Sequence, residues 1–337
     1  MAWSATTAVT DEGFHPRTED PWWNESSFLT FRIPERDLLA ILYFYFRPNQ
    51  NTAMGGPVLL DASSEDLATS RHTGWGWHLP IPPGADMFDF ALANTFTCET
   101  LRPQHEYRHT YNGAGCSFDL TYTADGPPMA MSSAGGGLSD FVGETSEQVA
   151  TGHFEQFGAM NGTLELDGEH IEVIDAGVFR DRSWGPRPVL QTQDKARGAL
   201  LFARAGRDHA FQAWAMSSLP WQQDPILDTT ENVASGFYIK DGTVGALVSG
   251  TRRVIERAPS GRVMREIVEA TDEHGRTLHA EGRTTAGIRW PGIYGDITAF
   301  WCHERWTLDG HDAPGELQEW IMCRHFAQWH RNQATYP

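Results

Sequence analysis

Arg180, Asp181, Arg182, Trp184 and Arg187 fall within one short stretch that enters as a β-branched run from Val173 and ends at a Gly185-Pro186 break. Charge that dense on a strand is either a solvated edge or a site whose members neutralise one another. The indole of Trp184 argues for a walled site. On an extended chain Phe179, Asp181 and Ser183 share one face, and Arg180, Arg182 and Trp184 share the other. Asp181 is flanked by two arginines, so its carboxylate is expected to be held ionised or doubly hydrogen-bonded, an orienter more than a free acid. A structural salt-bridge knot between two domains is the competing reading.

Two further clusters carry acid–base groups. In Pro21–Phe28, alternation puts Trp22, Asn24 and Ser26 on one face and Trp23 and Glu25 on the other. A carboxyl beside an indole in a pocket is pushed toward its neutral form, which suits a proton donor. An N-terminal strand with one exposed Glu is the plainer alternative. In Gly152–Phe157, His153 and Glu155 share a face, opposite Phe154 and Gln156. Such a pair can fix a tautomer or share a proton, or be a mere surface pair. Late in the chain, His303 stands next to Glu304.

Other chemistries find no support. The histidines at 72, 78, 325 and 330 lack zinc-ligand spacing, and Gly135–Gly137 is followed by no lysine. No nucleophile elbow and no dinucleotide fingerprint occur. No metal and no cofactor are therefore expected.

The elements that must position these groups are strands. Period-two alternation runs through 117–123, 162–168, 170–174, 198–203, 263–269 and 319–324, and Leu38–Phe46 reads as a buried strand. Asp167-Gly168, Asp241-Gly242, Ser260-Gly261, His274-Gly275 and Asp309-Gly310 read as tight hairpin turns. Helical periodicity is scarce: Ser139–Val149 could hold a turn or two, and Pro34–Leu39 reads as a loop or a single turn before a strand. Gly126–Gly137 reads as an irregular loop over a barrel mouth. The polar, proline-bearing segment from Pro186 to Arg197 is the expected domain boundary.

Bulk properties narrow the class. A chain of 337 residues exceeds one small core and suits two domains. Thirteen tryptophans suggest core layers or a cavity for a flat, greasy ligand. A net charge of −18 disfavours nucleic acid and anionic lipid surfaces. No segment approaches the ~20 apolar residues of a membrane span, and Met1–Thr7 lacks signal-peptide character, so a cytoplasmic location is expected. Cys98, Cys116, Cys302 and Cys323 make no disulfide framework. Cys98 and Cys116 could face each other across a hairpin, though buried free thiols fit a reducing compartment better.

Taken together, Pro21–Ser26, His153–Gln156 and Gly177–Arg187 resemble the two-domain lipocalin-like superfamily of carotenoid 1,2-hydratase and AttH, in an uncharacterised bacterial branch. The resemblance implies an all-β fold of two lipocalin-like antiparallel barrel or half-barrel domains packed side by side, here 1–187 and 188–337. It also implies cofactor-free acid–base chemistry on apolar, terpenoid-like or polyketide skeletons. The superfamily motif runs Asp, His, polar, Trp, Gly. Asp181, Trp184 and Gly185 match it, and Arg182 stands in place of the histidine. Another proton donor is then needed, with His153, Glu25, Glu155, His303 and Glu304 as candidates.

The expected function is a cofactor-independent hydratase/dehydratase or isomerase. A non-catalytic carrier of an apolar ligand and a retro-aldol carbon–carbon lyase are the alternatives. Asp181, His153 and Glu25 are the expected catalytic residues. Trp22, Trp23, Glu155, Gln156, Arg182, Trp184, Arg187, His303 and Glu304 are expected to bind substrate. The expected partners are a small apolar substrate and, in an assembly, a second copy of the chain as a homodimer.

Overall fold

The alternating segments fold as antiparallel strands, and the Asp-Gly dipeptides turn them. The structure, a computed structural model, describes residues 7–16, 19–130, 152–187, 197–217, 219–220, 223, 226, 230–293 and 295–333. Ser139–Val149, most of the expected Gly126–Gly137 loop, and 188–196 of the boundary segment lie outside the described residues. Among the described residues, one compact unit takes those up to Arg187 other than Ala62–Leu67. The second takes Ala62–Leu67 and those from Arg197 onward.

The first unit is one large antiparallel sheet. Its strands are β1 (Trp23–Ile33), β2 (Leu38–Arg47), β3 (Thr52–Leu60), β4 (His72–Thr73), β5 (Gly76–Pro80) and β6 (Phe90–Ala91). They continue with β7 (Thr97–Arg102), β8 (Glu106–Gly113), β9 (Cys116–Ala124), β10 (Met129–Ala130), β11 (Gly152–Leu166) and β12 (Glu169–Pro186). The main order is β4-β3-β2-β1-β12-β11-β9-β8-β7-β6. The sheet curls, because Phe44 of β2 packs on Phe90 of β6 at 4.9 Å although the two strands lie far apart in that order. Leu29, Phe31, Leu42, Phe44, Phe96, Phe118 and Leu120 fill the hollow so formed. The result is a half-barrel with a packed interior.

The second unit closes into an eight-stranded barrel. Its strands are β13 (Arg197–Gly206), β14 (His209–Met216), β15 (Thr230–Lys240), β16 (Thr243–Arg257), β17 (Val263–Asp272), β18 (Thr277–Pro291), β19 (Ile297–Leu308) and β20 (His311–Met322). The expected all-β architecture is thus present, one unit as an open curled sheet and the other as a full barrel.

Turn chemistry explains the register. In Asp167-Gly168, Asp241-Gly242 and Asp309-Gly310 both residues have positive φ, which two-residue hairpins of matching twist require. Strand register closes around each: Leu166 pairs with Glu169, Lys240 with Thr243, Leu308 with His311. Pro34–Arg36 is a single 3-10 turn.

Two expectations are corrected. The strand reading of 319–324 ends at Met322, where α1 (Cys323–Gln333) begins and buries His325 and Trp329. Cys98 and Cys116 are not hairpin partners: Cys98 lies opposite His109, and Cys116 opposite Gly113. All four cysteines are free thiols. No helix among the described residues is long and apolar enough to cross a membrane.

Candidate functional site

Three adjacent strands, β11, β12 and β1, bring the sequence clusters together. Their register aligns His153 with Ser183 and Ser26, and Glu155 with Asp181 and Phe28. β2 extends these rows with Tyr45 and Tyr43. All these side chains lie on the sheet face opposite the packed hollow, as the period of two requires.

The centre of this face is a three-residue cluster. His153 Nε2 lies 2.7 Å from Asp181 Oδ2 and 3.2 Å from Glu155 Oε1. His153 is 8% exposed, Asp181 5% and Glu155 0%. Burial alone would lower the imidazole pKa, but the adjacent Asp181 and Glu155 carboxylates outweigh it and raise the value to about 9. The ring is therefore an imidazolium at neutral pH, held between two carboxylates.

Aromatic rings surround this charge. Phe28 packs against Tyr43 at 6.2 Å and Phe179 at 6.0 Å. Phe157 packs on Phe179 at 5.3 Å, and Trp75 stacks on Tyr43 at 5.6 Å. Ser26 and Ser183 share a hydroxyl–hydroxyl bond of 2.9 Å. Asn24 and Thr30, also on this face of β1, are buried, and their side chains have no hydrogen-bond partner among the described residues.

A different cluster occupies the core-facing side. Glu25 Oε1 accepts from Trp23 Nε1 at 3.0 Å and from the His15 backbone N–H at 2.9 Å. Its Oε2 accepts from Arg182 Nη2 and contacts His15 Nδ1 at 3.2 Å. Burial pushes the Glu25 pKa up, yet the His15 and Arg182 contacts outweigh it and hold the carboxyl below its ordinary value. The His15 ring stacks on Trp184 at 3.9 Å. Arg180 makes a bidentate pair with Glu12 at 2.8 and 2.9 Å and bonds Gln156 Oε1 at 2.6 Å. The Tyr107 ring lies 4.8 Å from its guanidinium.

Two readings of the site are corrected by this parity. Arg180 and Arg182 do not neutralise Asp181, because successive side chains leave a strand on opposite faces. Asp181 pairs with His153 instead. Glu25 is not brought together with His153 and Asp181: it lies on the other face of the sheet in an ion pair with Arg182.

The remaining residues fall as follows. Glu155 belongs to the His153 cluster. Gln156 points to the other face and clamps Arg180, with its Nε2 on the carbonyls of Gln104 and Gly126, both at 2.8 Å. Trp23 and Trp184 pack with Phe154 on the Glu25 side. Trp22 precedes β1 and lies 5.2 Å from the Arg47 guanidinium. The Arg187 backbone N–H donates to the Trp22 carbonyl at 2.8 Å. His303 and Glu304 belong to the second unit. His303 Nδ1 meets Thr285 Oγ1 at 2.6 Å, and Glu304 points into the barrel, accepting from Thr284 Oγ1 at 2.8 Å. The reading from sequence overlooked Glu12 and His15, which anchor the charged strand from a segment without periodicity. It also passed over Asn24, although alternation had already placed it.

The cluster of His153, Glu155 and Asp181 could also hold a divalent cation, its donor atoms lying within 4.8 Å of one another. The ring proton would then have to leave Nε2. With that proton in place, the arrangement can give a proton from the imidazolium and take one on a carboxylate.

A family model described as a domain of unknown function, DUF7064, matches residues 8–324. The chain belongs to the DUF7064 family. No curated protein sequence matches this DUF7064 chain. Among solved structures it is similar to the AttH-type protein of Nitrosomonas europaea, with TM-score 0.63, 15% identity, and 95% and 98% of the two chains covered. It is similar to kievitone hydratase from Nectria haematococca, with TM-score 0.56, 12% identity, and 95% and 94% covered. CghA aligns with TM-score 0.56 and 12% identity over 90% and 88%. The resemblance to the hydratase/AttH superfamily thus holds for this DUF7064 chain at the level of the fold.

Proposed function

We propose that the chain is an acid–base enzyme of the hydratase/dehydratase type, acting without a cofactor on an apolar, terpenoid-like alcohol or alkene. The observation that carries this reading is the imidazole of His153 in an ion pair with Asp181 at 2.7 Å and facing Glu155 at 3.2 Å, all buried beside aromatic rings. The fold shared with kievitone hydratase supports it.

In the dehydrating direction the imidazolium gives its proton to the departing hydroxyl. The C–O bond breaks and water leaves. A carboxylate takes a proton from the neighbouring carbon, and the C–H pair becomes the alkene bond. Charge is conserved, because an imidazolium and a carboxylate end as neutral imidazole and acid. The faces of Phe28 and Tyr43 favour the positive charge that develops on carbon. Hydration is the same path reversed.

The test is incubation with terpene alcohols and alkenes, followed by mass analysis. A product differing by one water is expected. Asp181→Asn and His153→Ala, checked for folding by circular dichroism, are expected to lose roughly 10²–10⁴-fold of the rate. Undiminished turnover in both folded variants overturns the reading. Ligand recovered only at unchanged mass favours a carrier, and two fragments favour a retro-aldol lyase. Activity lost to a chelator and restored by a divalent cation would assign the cluster to a metal instead.

A further inference from the structure

Asn24 is 1% exposed, and neither its Oδ1 nor its Nδ2 has a hydrogen-bond partner among the described residues. Buried polar groups are paired as a rule, so a carboxamide with both ends unmet requires an explanation. The local sequence supplies no partner from within the strands. Across β12, Asn24 faces Gly185, which has no side chain and a φ of +129° that few other residues adopt. Two positions along β1, Ser26 is already bonded to Ser183. At the end of β2, Arg47 turns its guanidinium to the carbonyls of Trp22 and Arg187 at 3.4 and 3.0 Å.

The position is as telling as the missing partners. Asn24 shares its sheet face with the His153 cluster. By register it lies one row up from Ser26 and two strands over from His153. Standard strand spacing makes the backbone separation on the order of 12 Å. A ligand lying along this face from His153 to Asn24 would need the length of an extended sesquiterpenoid.

We infer that Asn24 docks a hydroxyl of the substrate remote from the reacting carbon, so that the substrate is an apolar skeleton oxygenated at both ends. The carboxamide suits a hydroxyl because Oδ1 accepts its proton while Nδ2 donates to its oxygen. A desolvated amide that gains a partner only from the right ligand rejects the analogue lacking that group, because the analogue leaves it unpaired. This inference rests on the acid–base reading of the same face, and it assigns Asn24 a positioning role without a part in proton transfer.

The experiment compares farnesol with 12-hydroxyfarnesol by equilibrium dialysis against the full chain. The wild type is expected to bind the diol at least tenfold more tightly. Asn24→Leu, an isostere without polar atoms, is expected to erase that preference and to raise Tm, since it removes an unmet buried amide. Asp181→Asn is expected to keep the diol preference while losing turnover. Equal affinity of the two probes for wild type, binding of neither, or a preference that survives in folded Asn24→Leu overturns the inference. If the preference depends on Asn24 but Asp181→Asn turns over like wild type, the acid–base reading fails and the docking role stands.

Discussion

Asp181 and Arg182 are consecutive, yet their side chains leave β12 on opposite faces and enter separate ion pairs. That separation gives each residue its own test. The His153 pKa of about 9 lies above the ordinary 6.5, so the contribution of its ion pair to stability is full below pH 6.5. It is lost as pH climbs through 9. Because the imidazolium is the proposed acid, turnover in the dehydrating direction is expected to be level near neutrality and to fall above pH 9, measured as a kcat profile. A profile rising through that range would contradict the assignment. On the other face, Arg180 is fully buried and depends on Glu12. Glu12→Ala leaves that charge without its partner and is expected to cost about 3–5 kcal/mol in urea unfolding. Alternation located the members of each face in advance. It did not reveal which face is the core, because the ends of β11 and β12 and all of β2 are buried on both sides. Where both faces are buried, the apolar–polar contrast disappears from the sequence.

At the scale of elements, hairpins were the most legible feature, since Asp-Gly turns need positive φ and few other dipeptides supply it. Bulges were not legible. β11 shifts register between Met160 and Gly162 where it pairs with β12. Gly162 has a φ of +142°, and a Cβ there would fall 2.1 Å from the Asp119 carbonyl oxygen. Gly162→Ala is expected to destabilise by more than about 1 kcal/mol, read as a lower urea midpoint, and to loosen the strand that carries His153 and Glu155. A midpoint equal to wild type would show that the bulge relaxes freely. α1 was hidden for a different reason. It buries Trp329 and His325 and packs Phe326 on the barrel core, but the preceding strand runs directly into it. The helix is amphipathic, but it is only eleven residues long and follows the strand without a turn signal, so the alternation of 319–322 reads on into it.

Across the whole molecule, each unit encloses charge, but the two differ in balance. Inside the barrel, Arg197, Arg252 and Arg257 pair with Glu231, Glu266 and Glu319, and Glu304 lies beside Glu266. Burial raises the Glu304 carboxyl well above its ordinary range, and the neighbouring Glu266 adds to the effect. Burial acts on Glu319 too, but Arg257, Arg252 and Arg197 outweigh it and bring the value to about 2. The contribution of Glu319 to stability is therefore full above its ordinary 4.5 and is lost as pH falls toward 2. Glu304 has the opposite sign: the folded state holds its proton longer, so stability declines as pH rises through the raised value. Glu304→Gln keeps a neutral, hydrogen-bonding side chain and is expected to flatten that decline. The check is the urea midpoint followed upward from the ordinary 4.5, whose fall with pH should be smaller than in wild type. No spacing rule foretells this network, because its members come from β13, β15, β16, β17, β19 and β20 and meet only when the barrel closes.

The central claim is that a protonated His153, held by Asp181 on a buried sheet face, is the acid of the site. Titration of His153 by nuclear magnetic resonance, using isotope-labelled imidazole, tests it most directly and needs no substrate. The expected result is a pKa near 9 in the wild type that drops by more than one unit in Asp181→Asn. A wild-type value at or below the ordinary 6.5, unmoved by Asp181→Asn, would contradict it.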